Sequence, residues 1–164
     1  MVATVTIDAN IIEVQKFIKN ISKRQRKAIQ KSLNRVSNMA ILMITKRTQS
    51  GKLPDGGNFI PYTKKTKEIR SKKGRRTDIV DLTDSGRMFR SLDYKKRGFR
   101  NELLFRNMDS AKIAFRHDIL GVGKKKTKRP FFAIGKSEEP KIINEFSRFY
   151  FSELKLKPWV KEKI

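Results

Sequence analysis

The sequence predicts an α+β fold, in which a long N-terminal helix and a C-terminal helix pack on one face of a small antiparallel sheet of three or four strands. Apolar residues at helical spacings mark both ends of the chain, whereas short apolar runs separated by turn-forming residues occupy its middle. The chain has 164 residues, a length that suits one domain. We expect residues 1–155 to form that domain and residues 156–164 to be a tail.

The strongest pattern is a long amphipathic helix over residues 22–48. Its apolar residues recur along one side, and most of its basic residues fall on the opposite side. Gly51 and Pro54 then end the helix. The apolar stripe, which we expect to face the core, consists of Ile29, Leu33, Val36, Ala40, Met43 and Ile44.

The residues before this helix predict two smaller elements. Residues 2–7 alternate weakly between apolar and polar side chains and indicate a short strand. Asp8 or Asn10 can cap a helix that follows. The apolar face of that helix consists of Val14, Phe17, Ile18 and Ile21.

Residues 49–77 are predicted to be an extended loop. Glycine, proline and aspartate between residues 51 and 57 favour turns, and residues 64–76 contain only Ile69 as an apolar side chain. A structureless segment of this length in a compact domain often belongs to an interface, and a mobile surface loop is the alternative.

The middle of the chain predicts a short helix followed by an antiparallel meander. Thr83 or Asp84 can cap the helix, whose apolar residues are Met88, Phe89 and Leu92. The strand candidates are residues 92–96, 102–107 and 111–116, which turn-like segments separate.

A second basic loop and the C-terminal helix follow the meander. The loop spans residues 124–129, and the apolar run over residues 129–135 is either a fourth strand or a buried connector. Pro140 suits the first turn of the last helix. The apolar face of that helix consists of Ile142, Ile143, Phe146, Phe149 and Tyr150.

The charge of the chain restricts its function. Lys and Arg number 40 against 16 Asp and Glu, which gives a net charge of +24 at pH 7. Such a charge favours an anionic partner, either nucleic acid or an acidic protein face, although a bias of the genome towards lysine codons is an alternative cause. Because no apolar run is long enough to cross a bilayer and no signal peptide is visible, we expect neither membrane insertion nor secretion.

Enzyme chemistry has little support in the sequence. The absence of cysteine excludes thiol catalysis and thiolate metal sites, and His117 is the single histidine. Asp78, Asp81 and Asp84 lack the spacing of a calcium loop and are better explained as capping or solvated acids. Gly121 and Gly123 do not form a phosphate-binding loop motif. We therefore expect no catalytic residues, no cofactor and no metal.

Nucleic-acid binding is a better supported but unspecific interpretation. Basic loops can neutralise phosphates, yet no zinc-finger, RNP or KH signature is present. Phe105, Phe115, Phe131 and Phe132 occur in apolar surroundings, which favours a place in the core over stacking on bases.

Three segments in a fixed order resemble a known family. They are SGKLPDGGNFIPYTKKTK at residues 50–67, DLTDSGRMFRSL at residues 81–92, and AKIAFRHD with KRPFFAIGKS within residues 111–137. In this order they resemble the phage virion-morphogenesis family, the tail-completion or tail-to-head joining proteins of long-tailed phages. The resemblance covers roughly residues 51–146.

The resemblance implies a structural neck protein that forms a ring, by family analogy a hexamer, at the head–tail junction of a virion assembled in the host cytoplasm. Its implied partners are further copies of itself, the neighbouring neck, portal-adaptor and tail-tube proteins, and, without sequence preference, packaged DNA. Residues 49–77 would be an arm that becomes ordered on assembly. The residues predicted to contact partners are Phe59, Pro61, Tyr62, Lys64, Lys65, Lys67, Arg70, Lys72, Lys73, Arg75, Arg76, Lys124, Lys125, Lys126, Lys128 and Arg129.

A stand-alone basic nucleic-acid-binding protein is the alternative from a different functional class. It would account for the charge of the chain but not for the ordered segments. A hydrolase is a distant third hypothesis.

Overall fold

The computed structural model of the chain describes residues 5–6 and 23–154. Its elements in chain order are β1 (Val5–Thr6), α1 (Lys23–Gln49), α2 (Lys64–Lys72), α3 (Arg87–Arg90), β2 (Leu92–Arg97), β3 (Arg100–Phe105), α4 (Met108–Phe115), a π-helical turn (Arg116–Leu120) and α5 (Glu139–Leu154). This arrangement confirms an α+β fold with a long N-terminal helix, a C-terminal helix and a small antiparallel sheet.

The sheet is built on the hairpin of β2 and β3. Its register pairs Leu92 with Phe105 at the open end and Arg97 with Arg100 beside the turn. The short β1 pairs antiparallel with the other edge of β3, so the strand order is β1-β3-β2. The predicted strands over residues 92–96 and 102–107 are confirmed with small shifts at their ends.

The predicted third strand over residues 111–116 is wrong, because most of these residues belong to α4. The Asn107 side chain caps this helix by accepting a hydrogen bond from the Ser110 amide at 2.8 Å. Ala111 and Ala114 lie three residues apart and are both buried on its inner face. A run this short does not separate helix from strand by its apolar pattern alone.

Residues 129–135 form the buried connector that was one of the two alternatives. Phe131 and Phe132 are almost fully buried. Phe131 packs edge-on against Phe89 with ring centroids 5.9 Å apart, and Phe132 lies 5.0 Å from Phe105. These two phenylalanine pairings place the connector between α3 and the sheet. Phe115, which was also predicted to lie in the core, is only half-buried.

The predicted long helix is confirmed as α1, within one residue at each end. Val36, Ala40 and Ile44 are buried as expected. Ile29, Leu33 and Met43, the other members of the predicted stripe, are only partly buried. Small side chains are buried in addition to the apolar residues: Ala28, Ser32, Ser37 and Thr48.

Small polar residues are suited to the inner face of α1 because hydrogen bonds satisfy part of them. Ser37 donates its hydroxyl to the Leu33 carbonyl at 2.7 Å and accepts a hydrogen bond from Asn101 of β3 at 2.9 Å. The helix can therefore lie close to the sheet without leaving this hydroxyl unpaired.

The prediction that residues 49–77 are a structureless loop is wrong for residues 64–72, which form α2. Thr63 caps this helix by accepting a hydrogen bond from the Thr66 amide at 3.3 Å. Arg70 is the buried residue of α2. Apolar periodicity could not reveal a helix whose buried side chain is an arginine.

The short helix predicted after residue 83 is present as α3, but Gly86 rather than Thr83 or Asp84 occupies its N-cap position. Met88 and Phe89 are buried as expected, whereas Leu92 already belongs to β2.

The C-terminal helix is confirmed as α5 and packs along α1. Ile142 is buried and Phe146 stacks on Tyr150, but Ile143 is exposed. None of the helices in the described part of the chain is long and apolar enough to cross a membrane. The predicted upstream helix and the C-terminal tail lie outside the described residues.

Candidate assembly surface

Residues 64–76, which comprise α2 and the four residues after it, form the first basic segment. A buried cluster around Asp81 holds this segment in place. Arg70 on α2 donates to the Asp81 carboxylate at 2.8 Å, and both side chains are only 10% exposed. The same carboxylate accepts hydrogen bonds from the Tyr62 hydroxyl at 3.3 Å and from the Thr83 amide at 3.0 Å. Asp81 is therefore a structural acid that fixes the position of α2.

Arg70 also donates two hydrogen bonds to backbone oxygens. It donates to the Arg76 carbonyl at 2.7 Å and to the Thr83 carbonyl at 3.0 Å. These bonds also hold residues 73–76, which follow α2, against the C-terminal end of that helix. Arg70 was predicted to contact partners, and the structure corrects this because its guanidinium is buried and donates three hydrogen bonds inside the subunit.

The turn at residues 122–128 forms the second basic segment, and Arg129, which follows it, holds it in place. Its backbone amide donates to the His117 carbonyl at 2.7 Å, and its guanidinium donates to the Ile60 carbonyl at 3.3 Å. Arg129 is 5% exposed, and this burial lowers the pKa of its guanidinium from the usual value. Arg129 therefore also belongs to the interior, contrary to the prediction that it is a surface contact.

Tyr62 joins the two anchors. The guanidinium carbon of Arg70 lies 4.6 Å from the centre of the Tyr62 ring, and that of Arg129 lies 5.6 Å from it. Both distances are within the range of cation–π attraction. Burial is the main cause that raises the pKa of Tyr62, and the neighbouring Arg70 opposes that rise. The ends of two segments far apart in sequence thus converge on one aromatic ring.

Most of the predicted basic residues are exposed around these anchors. Exposed cations on and after α2 are Lys64, Lys65, Lys67, Lys72, Lys73, Arg75 and Arg76. Asp84 lies 3.9 Å from Lys73 and 3.7 Å from Arg75, and Asp78 lies 3.3 Å from Arg76. Exposed pairs of this kind contribute little to stability, so these side chains remain available to a partner.

The second segment presents its cations on a tight turn. Val122 and Thr127 form an antiparallel bridge that closes it, and Lys124, Lys125, Lys126 and Lys128 are exposed. Gly121 has φ of 82°, and a Cβ at this position would lie 2.1 Å from the Lys126 carbonyl oxygen. Glycine is therefore required where the turn closes on itself.

Phe59 and Pro61, two further residues of the predicted surface, differ in their exposure. Phe59 is 4% exposed and belongs to the core, and its amide donates to the Gly51 carbonyl at 2.9 Å. Pro61 is exposed beside Tyr62. Phe59 thus holds the start of the segment in place and is not a contact for a partner in the folded subunit.

A second buried ion pair links α1 to the connector, and sequence reasoning missed it. Arg47 donates to the carbonyls of Phe131 and Ala133 at 2.7 and 2.6 Å, and it pairs with Glu138. Glu138 in turn accepts a hydrogen bond from the Gly135 amide at 2.7 Å. A Cβ on Gly135 would lie 2.6 Å from the Pro54 carbonyl oxygen, so this site also requires glycine.

The residues weighed for catalysis or metal binding are dispersed. Asp78, Asp81 and Asp84 each face a different cation, as described above. Burial, and then the neighbouring Arg129, lower the pKa of His117 to about 4, and its Nδ1 atom is buried with no hydrogen-bond partner. Within residues 23–154, no group of three or more His, Asp or Glu side chains is arranged to hold a metal ion.

Comparison of the chain with protein-family models, with curated proteins and with solved structures finds no match.

The geometry itself therefore defines the candidate site. It is a surface of exposed lysine and arginine side chains on two segments, α2 with residues 73–76 and the turn at residues 122–128. We refer to these two segments together as the basic surface. Arg70, Tyr62 and Arg129 form its buried support.

Proposed function

We propose that this chain is a structural neck or tail-completion protein of a tailed bacteriophage, which forms a ring at the head–tail junction around the path of the DNA. The observation that carries the proposal is that the three segments resembling this family pack together. Phe59 of the first, Met88 and Phe89 of the second, and Phe131 of the third belong to one buried cluster. The three segments therefore belong to one structural unit, as the resemblance requires.

The exposed chemistry of the subunit supports a role in assembly. Large apolar side chains are exposed on α4 and on the π-helical turn after it: Met108, Ile113, Ile119 and Leu120. Clusters of exposed apolar residues are typical of surfaces that another protein covers. Because the basic surfaces of two copies repel each other, we expect copies to meet through such apolar faces and to direct the basic surface elsewhere.

The neighbours in the virion would be further copies of the chain together with neck, portal-adaptor and tail-tube proteins. The basic surface would dock on acidic faces of those proteins or on the phosphates of packaged DNA. Such contacts with DNA would not depend on base sequence, because lysine side chains that reach phosphates carry no information about the bases.

A stand-alone nucleic-acid-binding protein remains the second candidate, and one observation favours it. Among the described residues, no acidic partner lies within ion-pair distance of Lys64, Lys65 or Lys67, nor of the lysines on the turn. A cationic surface left unpaired in this way would suit a phosphate backbone equally well.

One experiment separates the two functions. The purified chain is examined by light scattering and negative-stain electron microscopy, and its binding to duplex DNA, single strands and RNA is titrated at two salt concentrations. We expect closed rings of uniform size, and binding that is non-selective, salt-labile and on the order of 10⁻⁴ to 10⁻⁶ M at physiological salt. A monomer that holds one nucleic-acid sequence or structure ~10³-fold more tightly than random competitor would contradict the neck function and support the alternative.

A further inference from the structure

An open cleft of about 240 Å³ lies between α3 and the start of α4, apart from the basic surface defined above. Its lining consists of Arg87, Arg90, Ser91, Arg106 and Asn107. Three of these five residues carry a guanidinium group, so positive charge is concentrated around the cleft. Like charges grouped in this way favour the binding of an anion.

The charges around the cleft are only partly compensated. Arg106 donates its Nε–H to the Asp93 carboxylate at 2.7 Å, and this ion pair offsets one of the three positive charges. Arg90 donates to the Ser85 carbonyl at 2.7 Å, which satisfies a donor but cancels no charge. Arg87 is exposed, and the described contacts give its guanidinium no partner. The three guanidinium groups and one carboxylate leave a net charge of +2 at the cleft.

The walls of the cleft are held in place before any ligand arrives. The Arg106 amide donates to the Ser91 carbonyl at 2.7 Å and so fixes the two sides against each other. Gly86 has φ of 73°, and a Cβ there would lie 2.7 Å from Nη1 of Arg90. Glycine thus allows the Arg90 side chain to fold back over the turn. The backbone of the cleft and the Arg90 side chain are thus preorganised, which lowers the entropy cost of binding an anion, whereas the Arg87 side chain makes no such contact.

The charge of the whole chain favours one class of anion for the cleft. Arginine forks match both carboxylates and phosphates. The net charge of +24 on the chain attracts an extended polyanion such as a nucleic-acid backbone, whereas a second copy of this chain would bring the same positive charge towards the cleft.

We propose that the cleft of Arg87, Arg90 and Arg106 binds a backbone phosphate of nucleic acid. This site does not depend on the neck function, since the contact would be the same in a monomer and in a ring. Its expected signature is one additional phosphate in the salt dependence of binding, because each neutralised phosphate of duplex DNA contributes about 0.9 to the slope of log affinity against log salt.

The test is a fluorescence titration of the full chain with a labelled duplex of mixed sequence between about 50 and 200 mM salt. The first variant is Arg87→Gln, which removes a side chain that makes no described contact within the subunit. Its matched control is Arg24→Gln, which makes the same change of charge at an exposed arginine whose guanidinium donates to the Leu154 carbonyl at 3.1 Å instead. Arg87→Lys keeps the positive charge but replaces the planar guanidinium, which can donate two parallel hydrogen bonds to one anion, by an ammonium group.

We expect Arg87→Gln to lower the salt slope by about 0.9, and Arg24→Gln and Arg87→Lys to keep the slope of the original chain. Equal slopes for Arg87→Gln and Arg24→Gln would overturn the proposal. So would a glutamate-rich peptide that binds the original chain but not Arg87→Gln, if the duplex slope is the same for both, since the cleft would then select carboxylates. A lowered slope in a chain that forms no rings would refute the neck function and leave the phosphate site in place.

Discussion

Replacing Arg70 by methionine tests whether the buried ion pair holds α2 and the basic surface on the subunit. The variant keeps much of the length and the apolar stem of the side chain but removes the guanidinium. Asp81 would then remain buried with two weaker donors, and the carbonyls of Arg76 and Thr83 would each lose a hydrogen bond. Removing one partner of a buried pair costs about 3–5 kcal/mol, because the other charge is left without compensation.

That cost is a large fraction of the stability of a domain, which is typically about 5–15 kcal/mol. For a chain of this length it corresponds to a fall in melting temperature of about 6–20 °C. The assay is thermal unfolding followed by circular dichroism, with Lys72→Met as the control. Lys72 lies on the same helix and is exposed, so its replacement should change stability by less than about 0.5 kcal/mol. If Arg70→Met has the same melting temperature as Lys72→Met and the original chain, the structural role assigned to the Arg70–Asp81 pair is refuted.

Two further predictions concern the core and its response to pH. Ile44→Asp places an unpaired carboxylate at a fully buried position of α1 and should greatly lower the urea concentration at which the subunit unfolds. Leu42 on the same helix is 58% exposed, so Leu42→Asp should leave the subunit folded. Equal urea midpoints for the two variants would contradict the assigned face of α1. Because the folded pKa of His117 is about 4, below the ordinary 6.5, the unfolded chain binds the proton more readily between these values. Stability should therefore fall as pH decreases through this window, by up to about 1.4 kcal/mol per pH unit, and His117→Gln should lessen that slope in urea titrations.

The elements that sequence reasoning identified have long or regular apolar patterns, whereas α4, whose inner face is also apolar, is too short for its pattern to separate helix from strand. The long helix α1 and the hairpin of β2 and β3 have regular apolar patterns, and their bounds agree with the prediction to within a few residues. Helix α2 was missed because its buried side chain is Arg70, whose counter-ion Asp81 lies eleven residues away in a segment that looked like a solvated acidic turn. A periodic pattern has no means of pairing these two charges.

For the candidate site, the sequence predicted the exposed lysines but not the burial of the two arginines that support them. Exposed lysines on α2 and on the turn at residues 122–128 lie where the charge distribution placed them, on the surface. Arg70 and Arg129 were grouped with those lysines because sequence alone gives every cation in a basic run the same weight. The signal that could have separated them is chemical, since arginine makes several directed hydrogen bonds to backbone oxygens and is the cation better suited to burial. The cleft of Arg87, Arg90 and Arg106 joins residues from separate elements and needed the fold to be found.

The hydrogen bonds of Arg47 have a consequence for the order in which the subunit folds. Its partners Phe131, Ala133 and Glu138 follow it by 84 to 91 residues along the chain. During synthesis α1 leaves the ribosome long before these residues exist, so its apolar face and this guanidinium remain without their native contacts. Closing such distant contacts requires a large loss of chain entropy before they stabilise anything, which slows folding. Because Ile142 of α5 also belongs to the core, the subunit completes that core only after α5 has been translated. Until then it exposes apolar surfaces that chaperones or incorrect partners can bind.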